Sequence, residues 1–279
     1  MLLDGVEEQK EARNIVYDLD GIIFLSCYKH KEADNIELMY ADLFMRIHAI
    51  ESEVWREYQV NKSILAITSK KNFRHSLTGL WKADRKAKPE REMTDKQLAS
   101  HIEAKKLRTY VSQVKVLLKE RMSSSPSFTV VVSAIAEADD TVIDLANNHD
   151  YLVVAMDSDI IKQSKSPVFN FHSKHWKWVT KGNADDEIFL HIIHDTITGG
   201  HNGSFGVKGS GKVAANKFIQ ELEDGEKSFT DWVELFETPA DALLNYQVAD
   251  CSQVVDGKLK LIEMIEISQL FEEHLIAPF

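Results

Sequence analysis

The 279-residue chain, 44% of it hydrophobic, is long enough for one large α/β domain, or one domain with a small appendage, around a sizeable core. Its two cysteines, Cys27 and Cys251, exclude a disulfide framework and a thiolate metal centre and fit a reducing cytoplasm, a bacterial host's if the chain is phage-encoded. No apolar run approaches the roughly 18–20 residues of a membrane span, and the opening MLLDGVEEQKEARN is too acidic for a signal or transit peptide.

In chain order, Arg13–Asp20 reads as a strand, mostly apolar and ending in acids. Residues 36–58 predict a helix, with Ile36, Met39, Tyr40, Leu43, Phe44, Ile47 and Ile50 at helical spacing. SILAIT (63–68) predicts a buried strand. Residues 70–96 are basic and polar, broken by Gly79 and Pro89, and 97–121 predict a long basic helix. SSSPS (123–127) is a loop. FTVVVSA (128–134) is a strand, DDTVIDLANN (139–148) a helix and YLVVAMD (151–157) a strand. Short strands follow around 167–179, then helices to the end. Alternating strands and helices imply an α/β fold with a mostly parallel sheet flanked by helices.

The net charge of −11 hides an uneven distribution: residues 62–121 hold 16 Lys/Arg against 6 Asp/Glu, and residues 221–279 hold 3 against 14. A basic middle can capture phosphate backbones although the net charge is negative. The bland reading is a solvated helix face.

The acids fall where an open α/β sheet builds its sites, beyond the carboxyl ends of strands. Asp18 and Asp20 end one predicted strand, and Asp157 and Asp159 another. Residues i and i+2 of extended chain point the same way, so each pair can converge. Glu137, Asp139 and Asp140 open the helix after the third strand, where an acid can also be a simple cap. Crowded carboxylates need cations, and oxygen donors without Cys or clustered His favour Mg²⁺ or Mn²⁺. Two such ions about 3.5–4 Å apart can activate water and stabilise a leaving phosphate oxygen.

Two local patterns suggest other functions. Gly206–Val213 fits GxxxxGK of a nucleotide-binding loop, but Val213 replaces the Ser/Thr that binds Mg²⁺, and a helical stretch precedes it. Asp18-Leu-Asp20-Gly21 looks like the nucleophile motif of haloacid-dehalogenase-type phosphatases, with Asp18 attacking phosphate. That family has no use for EADD or for the glycine hairpin.

Taken in order, YDLDG (17–21), NFR (72–74) with WKADRKAK (81–88), EADD (137–140), MDSD (156–159) and GVKGSGKVAA (206–215) resemble the 5′-nuclease superfamily of phage 5′–3′ exonucleases and flap endonucleases. The resemblance spans roughly 13–220. It implies a nuclease core over 1–180 with a basic helical arch at about 70–121. It also implies a helical region over 181–279 with a helix–three-turn–helix at about 184–222 and an acidic C-terminal part.

By position, the resemblance makes Asp20, Glu137, Asp139, Asp140, Asp157 and Asp159 the holders of two Mg²⁺ or Mn²⁺ ions, with Asp195 as a further candidate ligand. Lys82 would reach the scissile phosphate, Arg74 matches a basic position just before the arch, and Arg85 and Lys86 would touch DNA. Trp81 could stack on a base or pack in the core. Asn202, Gly206, Gly209, Gly211 and Lys212 would grip a duplex backbone, with the K⁺-assisted phosphate contact that the resemblance implies.

The implied partners are DNA 5′ ends, flaps and duplex junctions, with RNA–DNA hybrid in phage-type DNA replication. Phe229, Trp232, Leu235 and Phe236 could dock a replication protein or pack in the core. The sequence departs from the pattern at Ser69, Gly199 and Asn202, where the family carries acids. A branched-DNA binder with weakened or lost catalysis is therefore a second reading beside the nuclease, and a phosphatase using Asp18 a third.

Overall fold

The computed structural model describes residues 11–68, 72–79, 93–177, 183–199 and 205–275. Strands β1 (Ala12–Asp18), β2 (Gln59–Ala66), β3 (Phe128–Val131), β4 (Leu152–Ala155), β5 (Val168–Asn170) and β6 (His175–Lys177) form one sheet in the order β3-β2-β1-β4-β5-β6. All neighbours are parallel except β5 and β6. The sequence therefore anticipated the fold class and most of the strands.

Alternation along the strands divides the core in two. Ile15, Tyr17, Leu65, Leu152 and Val154 face one side, where α1 (Leu19–Lys29), α2 (Ile36–Val54) and α4 (Asp95–Met122) pack. Val16, Ile64, Ala66, Val153 and Ala155 face the other, against α5 (Ala138–His149) and α6 (Ser158–Gln163). Burying each of the larger side chains contributes about 1.5–3 kcal/mol. The 28-residue α4 starts with a full capping box, Thr94 with Gln97, and shows the sheet only Leu107, Tyr110, Val114 and Leu118 as buried residues. Its lysines and arginines are exposed, except Lys115, which is only partly so.

A second core lies among α7 (Ala184–Thr198), α8 (Lys212–Glu223), α9 (Phe229–Val233), α10 (Pro239–Ala249) and α11 (Met264–Leu275). Trp232 is fully buried there and its indole N–H donates to Thr196 Oγ1 at 3.0 Å. This resolves its role as packing rather than docking.

The expectation of helices to the end is corrected by a short 3-10 helix, Cys251–Gln253, and a hairpin of β7 (Val254–Val255) and β8 (Lys258–Leu259). The signal was in the sequence: Asp256-Gly257 sits between the two strands, and both residues take positive φ, 51° and 71°. The side chain of Asp144 on α5 accepts from both of their N–H groups at 3.1 Å, tying the hairpin to the helix layer on the sheet.

Candidate metal centre and nucleic-acid interface

The sheet order reverses between β1 and β4, because the chain builds outward from β1 through β2 to β3 and then returns to β1's other side. The crevice beyond the strand ends at such a reversal is where open α/β sheets bind ligands. Three helices begin at that edge. Asp18 is the N-cap of α1 and Asp20 its second residue; Glu137 and Asp139 hold the same positions on α5, and Asp157 and Asp159 on α6.

The pairs are thus not extended strand ends, as the sequence suggested, because the strands stop at Asp18 and Ala155. Helix N-termini carry unpaired N–H groups and positive dipole ends, which stabilise acids. The same residues both open helices and converge, although Asp18 makes no side-chain capping bond.

Their charges act on one another. Burial, then the neighbouring charges of Asp20 and Asp157, pushes the Asp18 carboxyl up to about 7. Burial, then Asp18, Glu137 and Asp157, raises that of Asp139 well above the carboxylate range. Asp18 Oδ1 is buried without a hydrogen-bond partner. Among the described residues, no three of these acids each bring an oxygen within 4.8 Å of the others. They share one electrostatic field without closing into a tight set. A buried orphan oxygen amid oxygen-only donors fits a hard divalent cation.

Asp157 Oδ1 accepts the N–H of Asp159 at 3.0 Å, which fixes the start of α6. Thr68, just past β2, joins the parts. Its N–H reaches the Asp20 carboxylate at 3.3 Å and its Oγ1 accepts the N–H of Ala138 at 3.0 Å. Its carbonyl accepts from Lys115 Nζ at 3.3 Å. Lys115, on α4, also lies 2.6 Å from Asp20 Oδ1. The sequence reading missed Lys115, one of 16 basic residues between 62 and 121 with nothing local to distinguish it.

Two expected site residues are turned away. Arg74, in the short helix α3 (Arg74–Leu77), and Asp140 are wholly buried and bonded to each other. Asp140 Oδ2 also accepts the N–H of Glu137 at 3.0 Å. Arg74 is therefore not presented to a phosphate, and Asp140's oxygens are taken by a cation of the protein itself. Asp195, on α7, is bound between His191 and His194. Burial alone would push its carboxyl up, but the two imidazoles beside it hold it well below the usual carboxylate range. Trp81, Lys82, Arg85, Lys86, Ser69 and Asn202 lie outside the described residues.

Between α7 and α8 the chain turns on glycines. Gly199 ends α7 at φ 78°, and Gly206 takes φ 96° with its N–H donating to Asn245 Oδ1 at 2.7 Å. A Cβ on Gly206 would stand 2.4 Å from the Gly199 nitrogen, so the backbone crossing requires glycine there. Val207 N–H donates to Ile197 O at 2.9 Å, closing the hairpin. Gly209 (φ 80°) and Gly211, the N-cap of α8, bring the chain to the exposed Lys212. Free helix N–H groups beside Lys208 and Lys212 form a surface that suits a phosphate backbone. A preceding helix, in place of a strand, removes the nucleotide-loop reading.

No protein-family model and no curated protein matches the chain. Solved structures do. Bacteriophage T5 5′-exonuclease with bound divalent zinc aligns over 94% of this chain and 100% of its own, at 16% identity and a TM-score of 0.59. The T5 flap endonuclease, in a pseudo-enzyme–product complex with DNA and metal ions, aligns over 94% and 98%, at 15% identity and a TM-score of 0.59. The chain has the 5′-exonuclease fold. The motif resemblance and this likeness agree, and the three acid pairs gather at one edge of the sheet. Asp18, which the phosphatase reading needs as its attacking group, is buried, 6% exposed. No helix among the described residues is long and apolar enough to cross a membrane.

Proposed function

We propose that this chain is a metal-dependent 5′ nuclease acting on DNA 5′ ends and flaps. The observation that carries the reading is the set of three acid-capped helix N-termini at the sheet's reversal point, in a 5′-exonuclease fold. Asp18, Asp20, Glu137, Asp139, Asp157 and Asp159 would hold Mg²⁺ or Mn²⁺. When bound, such ions lower the pKa of water and stabilise charge on the phosphate oxygens. Lys115 would occupy Asp20 until a cation displaces it, and Thr68 would hold Asp20 and the start of α5 in register. The hairpin at 205–211, with Lys212 and a K⁺ ion, would grip duplex backbone without reading sequence. Lys82, Arg85 and Lys86 would track the single-stranded 5′ end, and RNA–DNA hybrid in phage-type replication is a natural further substrate.

The test is cleavage of a 5′-labelled flapped duplex in Mn²⁺. Wild type should shorten it; Asp139→Asn or Asp157→Asn should abolish cleavage with the fold intact. Equal traces of cleavage from wild type and Asp139→Asn would sink the proposal. Gly199, which offers no carboxylate where the resemblance expects one, favours a second reading: a branched-DNA binder without turnover. Salt-sensitive flap binding with no cleavage in either Mg²⁺ or Mn²⁺ would decide for it.

A further inference from the structure

We propose that α7 carries a separate cation site, built from His191, His194 and Asp195, that takes a zinc-type transition-metal ion in preference to Mg²⁺. Residues i, i+3 and i+4 of a helix share one face. Here each offers one donor atom, and all three donors lie within 4.8 Å of one another. Asp195 Oδ2 is 3.1 Å from His191 Nε2 and its Oδ1 is 3.1 Å from His194 Nδ1. The two rings are nearly parallel, 17° apart, with centroids separated by 6.4 Å, so both present their edges to the carboxylate.

The plain alternative is a structural ion pair along the helix. One observation speaks for more than that. His191 Nε2 is removed from solvent and, although close to Asp195, makes no well-directed hydrogen bond. A buried ring nitrogen left without a bond is costly unless something else takes its lone pair.

The donor set decides the class of ion. Two imidazole nitrogens and one carboxylate oxygen suit Zn²⁺ and its neighbours, whereas Mg²⁺ prefers oxygen alone. Zn–N bonds of about 2.0–2.1 Å place adjacent donors roughly 3.3 Å apart, so small rotations of the rings suffice. Three protein ligands leave a fourth position open to water or a substrate oxygen. Lys162 on α6 also acts on Asp195 and sets a positive charge beside the site. The helix α6, which opens with Asp157 and Asp159, packs on α7. The site therefore neighbours the acid cluster but differs from it in ligand chemistry, and it stands independently of the nuclease reading.

The experiment uses the full chain, stripped with a chelator and dialysed, then titrated calorimetrically with Zn²⁺ in excess Mg²⁺. Wild type should bind one equivalent. His191→Gln/His194→Gln should lose it; because losing a supporting partner alone costs about 10–100-fold in affinity, losing two ligands should cost at least about 100-fold. Asp139→Asn/Asp157→Asn should keep it. With Co²⁺ as the probe, wild type should show nitrogen-ligand visible absorption that the histidine variant lacks. Asp195→Asn, which leaves both rings in place, should shift that spectrum and serves if the double variant does not fold. Absence of a Zn²⁺ equivalent in wild type, or equal Zn²⁺ binding by the histidine variant, overturns the proposal. So does a Co²⁺ spectrum unmoved by Asp195→Asn. None of these readouts depends on nuclease activity.

Discussion

Arg74 donates two hydrogen bonds to Asp140, Nη1 to Oδ2 at 2.8 Å and Nη2 to Oδ1 at 2.7 Å, with both side chains withdrawn from solvent. Arg74 also donates to the carbonyls of Val248 at 3.1 Å and Asp250 at 3.2 Å, at the end of α10. One guanidinium thus joins the α5 N-terminus to the C-terminal helices. Removing one partner strands a buried charge, at a cost of about 3–5 kcal/mol, whereas replacing both with apolar groups is far milder. Asp140→Asn should therefore lower the urea midpoint sharply. The double change Arg74→Met/Asp140→Leu should cost much less than the two single changes added together. Additive costs would show that the pair is not coupled.

Lys115 competes with any cation for Asp20, since its ammonium lies 2.6 Å from Oδ1. Both groups are partly exposed, 19% and 32%, so the interaction is screened toward the lower end of the range, on the order of 1 kcal/mol. Lys115→Met should tighten Mn²⁺ binding about tenfold, the equivalent of about 1.4 kcal/mol, as read by calorimetry. Unchanged affinity would remove Asp20 from the ligand set.

Asp18 gives the chelated protein a pH signature. Its carboxyl, at about 7 when folded, lies above the ordinary 3.8. Between these values the folded state holds a proton that the unfolded state has lost, so stability falls as pH rises through that window. The loss is complete above the folded value and amounts to a few kcal/mol at about 1.4 kcal/mol per unit. Asp18→Asn should be more stable than wild type at pH 8 in EDTA, with the gap closing toward pH 4. Parallel stability curves from pH 4 to 8 would contradict the burial and crowding at this carboxyl.

Gly206 and Gly209 make a matched pair for the hairpin. Both have positive φ, but a Cβ on Gly206 meets the Gly199 backbone at 2.4 Å, whereas one on Gly209 meets nothing within 4 Å. Gly209→Ala should cost only the left-handed penalty of roughly 1–2 kcal/mol. Gly206→Ala should cost clearly more and weaken binding to flapped duplex, as measured by thermal unfolding and by anisotropy. Equal losses at the two positions would show that the crossing of 199 and 206 does not hold the hairpin.

The sequence by itself determined the α/β class, most strands and helices, and the edge of the sheet where the acids gather. These are written in short-range patterns: the unbroken apolar run LVVA (152–155), helical spacing in 36–54, and acids just past apolar runs. Even the spacing of two within 18/20, 137/139 and 157/159 was visible, although it marks the N-cap and second residue of a helix and not extended chain. The Asp256-Gly257 turn and the helical spacing of His191, His194 and Asp195 are short-range patterns of the same kind.

Only the tertiary structure decided which charged groups are turned inward and which outward. Asp139 and Asp140 are adjacent in the chain and alike in chemistry. A step of about 100° around the helix sends Asp139 toward Asp18 and Asp157, and Asp140 to a guanidinium 66 residues earlier. Lys115 became part of the site because α4 packs on α1, which brings it to Asp20, 95 residues earlier in the sequence. Local sequence sets backbone shape through steric and hydrogen-bond preferences. The pairing of distant charges depends on which partner burial leaves within reach.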